Sequence, residues 1–247
     1  GVNGTANNGA VFIHLGSSDG LAPSASQVLV GRSPSGLGTW NPLGSAFLGM
    51  DMDSGDVNGD TICDLVVSGR NDKSGAVFLH LGVIDSEAGQ GGLTSEPYLA
   101  WNGDHASYED AYLGWSVAVA DISDDGYADI IIGARYDEYS TGQSCTSNPD
   151  CNPSETSTWC YTHKVNGANV QQCSRMAAGA VYVKLGSDLP LNGLEDWSPF
   201  DSFDRIYWGS TNWDLMGNTV HAADVDGDGI KDVLITSIFG GVVGSAR

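Results

Sequence analysis

The sequence predicts an all-β protein made of repeated units, and three observations lead to this prediction. Acidic loops of one design recur at residues 56–64, 121–129 and 224–232. An apolar residue and a glycine stand just upstream of each loop, and an apolar, β-branched run follows it. The chain of 247 residues contains 34 glycines and only 17% charged residues. Short strands separated by glycine-rich turns account for all three features.

Each unit is predicted to contain strands in a fixed order. The first strand begins at the pairs Leu48-Gly49, Leu113-Gly114 and Met216-Gly217. The second strand follows the loop at 65–67, 130–132 and 233–235, and the third lies at 9–16, 75–82 and 179–186. Asp121 follows Asp56 by 65 residues, and Asp224 follows Asp121 by 103, of which 39 are an insertion. A repeat of about 65 residues built from short strands is typical of β-propeller blades.

The repeat predicts a single propeller region over residues 1–247, with about three blades present. We expect residues 1–35 to end one blade, 36–99 and 100–199 to form two further units, and 200–247 to begin another. Closed propellers have about four to eight blades, so the chain is expected to belong to a larger propeller or to an assembly of complementary half-blades. The strand near residues 233–238 should then pair outside this stretch, or with residues 11–15 if the chain closes on itself.

The acidic loops have the pattern of calcium sites. Oxygen side chains occupy positions 1, 3, 5 and 9, and a small residue permits the turn that brings in the carbonyl of position 7. An EF-hand is excluded because position 12 is Val67, Ile132 or Ile235 rather than Glu. We predict about three Ca²⁺ ions, bound most tightly at the third loop, which has four carboxylates. The predicted ligands are Asp56, Asn58, Asp60, Ile62, Asp64, Asp121, Ser123, Asp125, Tyr127, Asp129, Asp224, Asp226, Asp228, Ile230 and Asp232.

With these motifs in place, the chain resembles the FG-GAP repeats of the integrin α-subunit propeller. The glycine, the acidic loop and the strand written Gly-Ala-Val-Tyr at 179–182 carry the resemblance. It departs from the family where Leu48, Leu113 and Met216 replace Phe. The resemblance implies that ligands meet the face opposite the calcium loops.

The insertion, residues 135–178, holds four of the five cysteines: Cys145, Cys151, Cys160 and Cys173. Two disulfides in an oxidising compartment are expected, with three possible pairings, and a zinc site is the alternative. Tyr136, Tyr139, Trp159 and Tyr161 make this loop the best candidate for recognition. The remaining Cys63 is expected to be a buried small apolar residue.

The net charge of −21 argues against nucleic acid and anionic membranes as partners, and no apolar run approaches the roughly 18 residues that span a bilayer. Catalytic motifs are absent, so no enzymatic activity is expected. His14 and His80 occupy equivalent strand positions and are interpreted as surface features. The acidic cluster of Asp104, Glu109 and Asp110 is interpreted as a solvated loop.

These features predict an extracellular, calcium-stabilised module for adhesion or assembly, acting through a protein partner or companion chain. The alternative is a carbohydrate-binding or polysaccharide-processing propeller. For a glycan, Trp101, Asn102 and Asp104, or Tyr207 and Trp208, could form the site.

Overall fold

The computed structural model describes residues 9–31, 48–69, 75–84, 91–103, 111–151, 158–165, 168–189, 203–240 and 245–246. The cluster of Asp104, Glu109 and Asp110 lies outside these ranges. Short 3-10 helices cover Asn148–Cys151 and Gly186–Asp188. The strands in chain order are β1 (Ala10–Ile13), β2 (Gly16–Ser17), β3 (Gly20–Leu21), β4 (Gln27–Val30), β5 (Leu48–Gly55), β6 (Asp64–Gly69), β7 (Ala76–His80), β8 (Gly82–Ile84), β9 (Gly91–Leu93), β10 (Leu99–Asn102), β11 (Leu113–Ala120), β12 (Asp129–Ala134), β13 (Tyr139–Ser144), β14 (Trp159–Val165), β15 (Ala168–Arg175), β16 (Ala180–Lys184), β17 (Arg205–Trp208), β18 (Met216–Ala223), β19 (Asp232–Ser237) and β20 (Ser245–Ala246).

Two antiparallel sheets have the strand order of propeller blades. The first blade consists of β5, β6, β7 and β10, and the second of β11, β12, β16 and β17, with β20 added at its outer edge. The first three strands of each blade coincide with the three strands predicted for each unit. The fourth strands, β10 and β17, end at residues 102 and 208. The unit limits of 99 and 199 stay a prediction. The all-β prediction with blade-like sheets is confirmed.

Two hairpins flank the blades. The N-terminal hairpin pairs β1 with β4, and the C-terminal hairpin pairs β18 with β19. By repeat position, β1 and β4 correspond to third and fourth strands, whereas β18 and β19 correspond to first and second strands. Among the described residues, β19 pairs only with β18. Residues 11–15 are described, and those in β1 pair with β4 rather than with β19, so the pairing expected for a chain that closes on itself is not formed there. Pairing of β19 outside this stretch stays a prediction.

The hydrophobic core lies between neighbouring units. One cluster joins the two blades, with Val66 and Trp101 from the first packed with Ile130 and Tyr182 from the second. A second joins the N-terminal hairpin to the first blade, and a third joins the second blade to the C-terminal hairpin. Adjacent β6 residues face opposite sides, because side chains alternate across a strand: Val66 packs toward the second blade and Val67 toward the N-terminal hairpin.

Glycines set the spacing between units. Gly75, just before β7, forms a parallel bridge to Leu113 at the start of the next blade. Gly9 and Gly179 form the equivalent bridges to Leu48 and Met216. Gly75 has a φ of +80°, and a Cβ there would collide with the backbone of Leu113. The repeated glycine is therefore required by a left-handed backbone and by close approach together. No described helix is long and apolar enough to cross a membrane.

Candidate metal centres

The three acidic loops occupy the same place in the fold. Each connects a first strand to a second strand: residues 56–64 between β5 and β6, 121–129 between β11 and β12, and 224–232 between β18 and β19. The first strands of successive units are neighbours, so the loops lie at one end of adjacent units. We call this the acidic end. The predicted location between strands agrees with this arrangement.

In every loop the carboxylate at position 1 accepts hydrogen bonds from backbone N–H groups of the same loop. Asp56 Oδ1 and Oδ2 accept from the amides of Asp60 and Thr61, at 3.0 and 2.7 Å. The corresponding pairs in the second loop are Asp125 and Gly126 to Asp121, and in the third Gly227 and Gly229 to Asp224. These bonds fold the loop around its first acidic side chain.

The carboxylate at position 5 closes the second half of each loop. Asp60, Asp125 and Asp228 accept the N–H of position 7 at 2.8, 3.0 and 2.8 Å. The N–H of Tyr127 is the main reason that the pKa of Asp125 lies below its usual value. The ionised form is thus favoured at Asp125.

Position 9 anchors the loop to the blade. Asp64 accepts N–H bonds from Val57 at 2.9 Å and from Gly82, two residues after the third strand β7, at 2.8 Å. Asp129 accepts in the same way from Ile122 at 3.0 Å and from Gly186 at 2.9 Å. Both carboxylates are almost fully buried. Burial raises the pKa of each, and the two N–H donors act in the opposite direction.

The third loop differs because no third strand follows it in the described part of the chain. Asp232 is exposed and accepts one N–H bond, from Val225 at 2.9 Å. Oxygens of Asp224, Asp226 and Asp232 all lie within 4.8 Å of one another. Like charges held this close repel, and a bound cation would relieve that repulsion.

The oxygen atoms that the loops offer as metal ligands fit a hard divalent cation. An ionised carboxylate has about four lone-pair sites, and the N–H bonds leave some of these free in each loop. The predicted side-chain ligands at positions 1, 3, 5 and 9 are all oxygens, as Ca²⁺ prefers, with no nitrogen or sulfur ligand to favour zinc. The carbonyl ligands at Ile62, Tyr127 and Ile230 remain a prediction.

The insertion lies at the other end of the second blade. It leaves β12 at Ala134, whereas the acidic loop enters β12 at Asp129, so the two project from opposite ends. β13, β15 and β14 form a separate three-stranded sheet. Disulfides join Cys145 to Cys160 and Cys151 to Cys173, which confirms two disulfides and selects one of the three pairings.

Several aromatic residues of the insertion are committed to packing. Tyr136 packs on Tyr112 and on the guanidinium of Arg135, and Tyr139 packs on Trp208. Trp159 is 40% exposed and is the member of the predicted recognition set that presents most to solvent. Trp101 is only 1% exposed and packs on Phe203, so its ring is not a surface platform for a sugar.

Two of the sequence interpretations are wrong. Cys63 is exposed, because the turn that places Asp64 inside the blade points its neighbour outward. His80 is buried, with Nδ1 2.8 Å from the carbonyl of Thr94, and is not a surface feature. The exposed His14 makes the equivalent contact to Ala22 at 2.9 Å. Lys184, at the same repeat position, forms an ion pair of 3.1 Å with Asp204.

Sequence reasoning did not identify Gly82 and Gly186 as loop anchors, although both end the repeated third-strand motif. Asp51 and Asp53 were also missed. Their carboxylates accept the N–H groups of Val117 and Val119 at 2.9 and 2.8 Å and join the first strands of the two blades. The sequence feature that could have identified them is a pair of acidic residues, two positions apart, on a predicted first strand.

Comparison with known families identifies the repeat. Residues 113–144, which begin at β11 and contain the second acidic loop, match the family model of the FG-GAP repeat. This segment is an FG-GAP repeat, the repeat type of integrin α subunits. No curated protein matches the chain. The FG-GAP match and the all-β sheets agree with propeller blades, and the described residues form no closed ring.

Proposed function

We propose that this FG-GAP protein is a calcium-stabilised module in which each acidic loop binds one Ca²⁺. The observation that carries the proposal is that the carboxylates at positions 1 and 5 accept backbone N–H bonds of their own loop in all three loops. Side chains at positions 1, 3, 5 and 9 and the carbonyl at position 7 would supply the ligands. Six to eight oxygens in flexible geometry suit Ca²⁺, whereas Mg²⁺ keeps more of its waters.

Thermal unfolding with and without calcium tests this proposal. Ca²⁺ bound only to the folded state stabilises it by about 2.7 kcal/mol per site at a concentration 100 times the Kd. We expect the melting temperature to rise with Ca²⁺, to fall after chelation, and to respond much less to Mg²⁺. Asp226→Ala should remove one ion from the measured stoichiometry. A melting temperature that chelation leaves unchanged would rule out a structural role for calcium.

We also propose that the module is extracellular and acts without catalysis, by contact with a protein partner in adhesion or assembly. Two disulfides are compatible with an oxidising compartment. The insertion is the favoured contact region because its three-stranded sheet is held by both disulfides and presents Trp159. Rigid surfaces with exposed aromatic side chains are common at protein interfaces.

Adhesion of cells to a surface coated with the protein tests the partner proposal. Trp159→Ala should weaken adhesion several-fold. Ile84→Ala is the control, because Ile84 is 62% exposed but follows β7 at the acidic end. Equal adhesion by both variants and the unaltered protein would exclude Trp159 from the contact. Selective binding on a glycan array would instead favour the carbohydrate alternative, which the burial of Trp101 makes the weaker one.

A further inference from the structure

The first and second acidic loops touch one another directly. The N–H of Ala128 donates to the carbonyl of Asp56 across a distance of 2.8 Å. Asp56 is position 1 of the first loop, and Ala128 lies between positions 7 and 9 of the second. One hydrogen bond therefore joins the backbones of two candidate metal centres at points adjacent to their ligands.

A second contact joins Gly59 of the first loop to Tyr127 of the second. A methyl group built on this residue would lie 2.5 Å from Cε1 of Tyr127, so the phenol ring packs on the Gly59 backbone. Gly59 separates Asn58 and Asp60, at positions 3 and 5 of the first loop. Tyr127 is position 7 of the second. Its carbonyl is a proposed ligand in one loop while its ring covers the other.

A third contact involves Gly186, which follows the third strand of the second blade. Gly186 donates its N–H to Asp129, and a Cβ on Gly186 would lie 2.8 Å from the carbonyl of Val57. Val57, at position 2 of the first loop, is fully buried between the blades. Ordering of either loop therefore constrains the backbone of the other through three separate contacts.

The third loop lacks these contacts. Val225, the counterpart of Val57, is 66% exposed. No backbone hydrogen bond joins residues 121–129 to residues 224–232, both of which the structure describes completely. The chain thus contains a coupled pair of loops and a separate loop with the same sequence pattern.

We propose that the first and second loops bind Ca²⁺ cooperatively, through Tyr127 and the bond from Ala128 to Asp56, and that the third loop binds independently. This rests on the proposed calcium function. An ion in one loop fixes backbone that the other loop must also order, so the second ion orders fewer groups when it binds. Linkage requires the effect to be reciprocal, and couplings of this kind are typically about 5- to 150-fold in affinity.

The experiment is a Ca²⁺ titration followed by NMR, in which the amide signals of Gly59, Gly126 and Gly227 report the three loops separately. Asp60→Ala disables the first loop at position 5, and Asp228→Ala disables the third at the same position. We expect Asp60→Ala to raise the Ca²⁺ midpoint of Gly126 by at least about 5-fold. Asp228→Ala should leave that midpoint at its original value.

Tyr127 provides a second and independent measurement. In a Tyr127→Ala background, Asp60→Ala should shift the midpoint of Gly126 less than in the unaltered protein, because only the backbone contacts of Ala128 and Gly186 remain. In a Tyr127→Phe background the full shift should persist, because the packing ring remains. Should Asp60→Ala not fold, Asn58→Ala replaces it.

The possible outcomes separate the two proposals. If all three signals respond to Ca²⁺ but the Gly126 midpoint is the same or lower in Asp60→Ala, the coupling is overturned and the calcium function stands. If none of the three signals responds in the unaltered protein, calcium binding fails and the coupling fails with it.

Discussion

The second and third acidic loops share one sequence pattern and differ in their surroundings. In the second loop Asp129 is fully buried and accepts an N–H from Gly186, which follows the third strand of its own blade. In the third loop Asp232 is exposed, and its one donor among the described residues is Val225 of its own loop. The carboxylate at position 9 therefore has two roles, as a proposed metal ligand and as an anchor of the blade. The second role depends on a third strand.

The largest expected effect separates these two roles. In the presence of chelator, Asp129→Ala leaves the N–H groups of Ile122 and Gly186 without an acceptor, at a cost of about 2–4 kcal/mol. Asp232→Ala should cost about 0.5–1 kcal/mol, because its one donor is exposed. Urea unfolding of both variants measures the difference. Equal losses would show that the buried bonds to Asp129 do not anchor the blade.

The disulfides give the next largest effect and act at the other end of the second blade. Replacing Cys151 and Cys173 by Ala should cost about 3 kcal/mol in the chain-entropy treatment of the bridged loop. Calcium midpoints at the acidic loops should stay unchanged, since the insertion leaves the blade at Ala134. Urea unfolding measures the loss of stability, and the Ca²⁺ titration measures the midpoints. A shifted midpoint would show that the insertion and the acidic loops are energetically coupled.

Arg135 tests how the C-terminal hairpin is held, given that no third strand of its unit lies in the described part of the chain. Its guanidinium lies 3.5 Å from the ring centroid of Trp115 and donates to Asn218 Oδ1 at 3.0 Å. Arg135→Lys should cost about 1–2 kcal/mol, because Lys cannot stack and donate in the same geometry. Hydrogen exchange should accelerate in β18 and β19 more than in β6 and β7. Uniform acceleration would mean that Arg135 does not hold the hairpin specifically.

The smallest effect concerns the two equivalent histidines. Burial lowers the pKa of His80, while the carbonyl of Thr94 and the charge of Glu96 act against this shift. The folded state therefore binds fewer protons than the unfolded state, so stability falls as the pH drops below about 6.5 toward the lower folded-state pKa.

The matched variants are His80→Gln and His14→Gln. His80→Gln should flatten the decline in stability as the pH falls, because it removes the buried imidazole. His14→Gln is the control for the same replacement at the exposed equivalent position. Urea unfolding at pH 5 to 7 provides the comparison. An unchanged slope in His80→Gln would show that another group causes the pH dependence.

Much of the fold could be predicted because it depends on residues that lie close together in the sequence. The glycine before each third strand is needed for a left-handed backbone and a close approach, and only glycine permits both. The acidic loops could be placed between strands because their spacing and the β-branched runs after them exclude helices. The presence of two disulfides followed from four cysteines in one segment with few apolar residues.

The cysteine pairing could not be predicted in the same way. Cys160 and Cys173 are direct partners in the ladder between β14 and β15, yet each is bonded to a cysteine outside that pair. Pairing depends on where the 3-10 turn at Asn148–Cys151 and the end of β13 bring Cys151 and Cys145. Those positions follow from packing and not from spacing.

The sequence by itself determined the repeat, the loop pattern and the location of the insertion, because each rests on residue types at fixed short separations. Tertiary structure decided which of three similar loops became anchored and which became coupled. Asp64, Asp129 and Asp232 are the same residue at the same position. Among the described residues, only the first two meet the N–H of a glycine that follows a third strand. Burial and hydrogen bonding depend on what the chain places beside a residue, and here those neighbours come from segments 18 and 57 residues away.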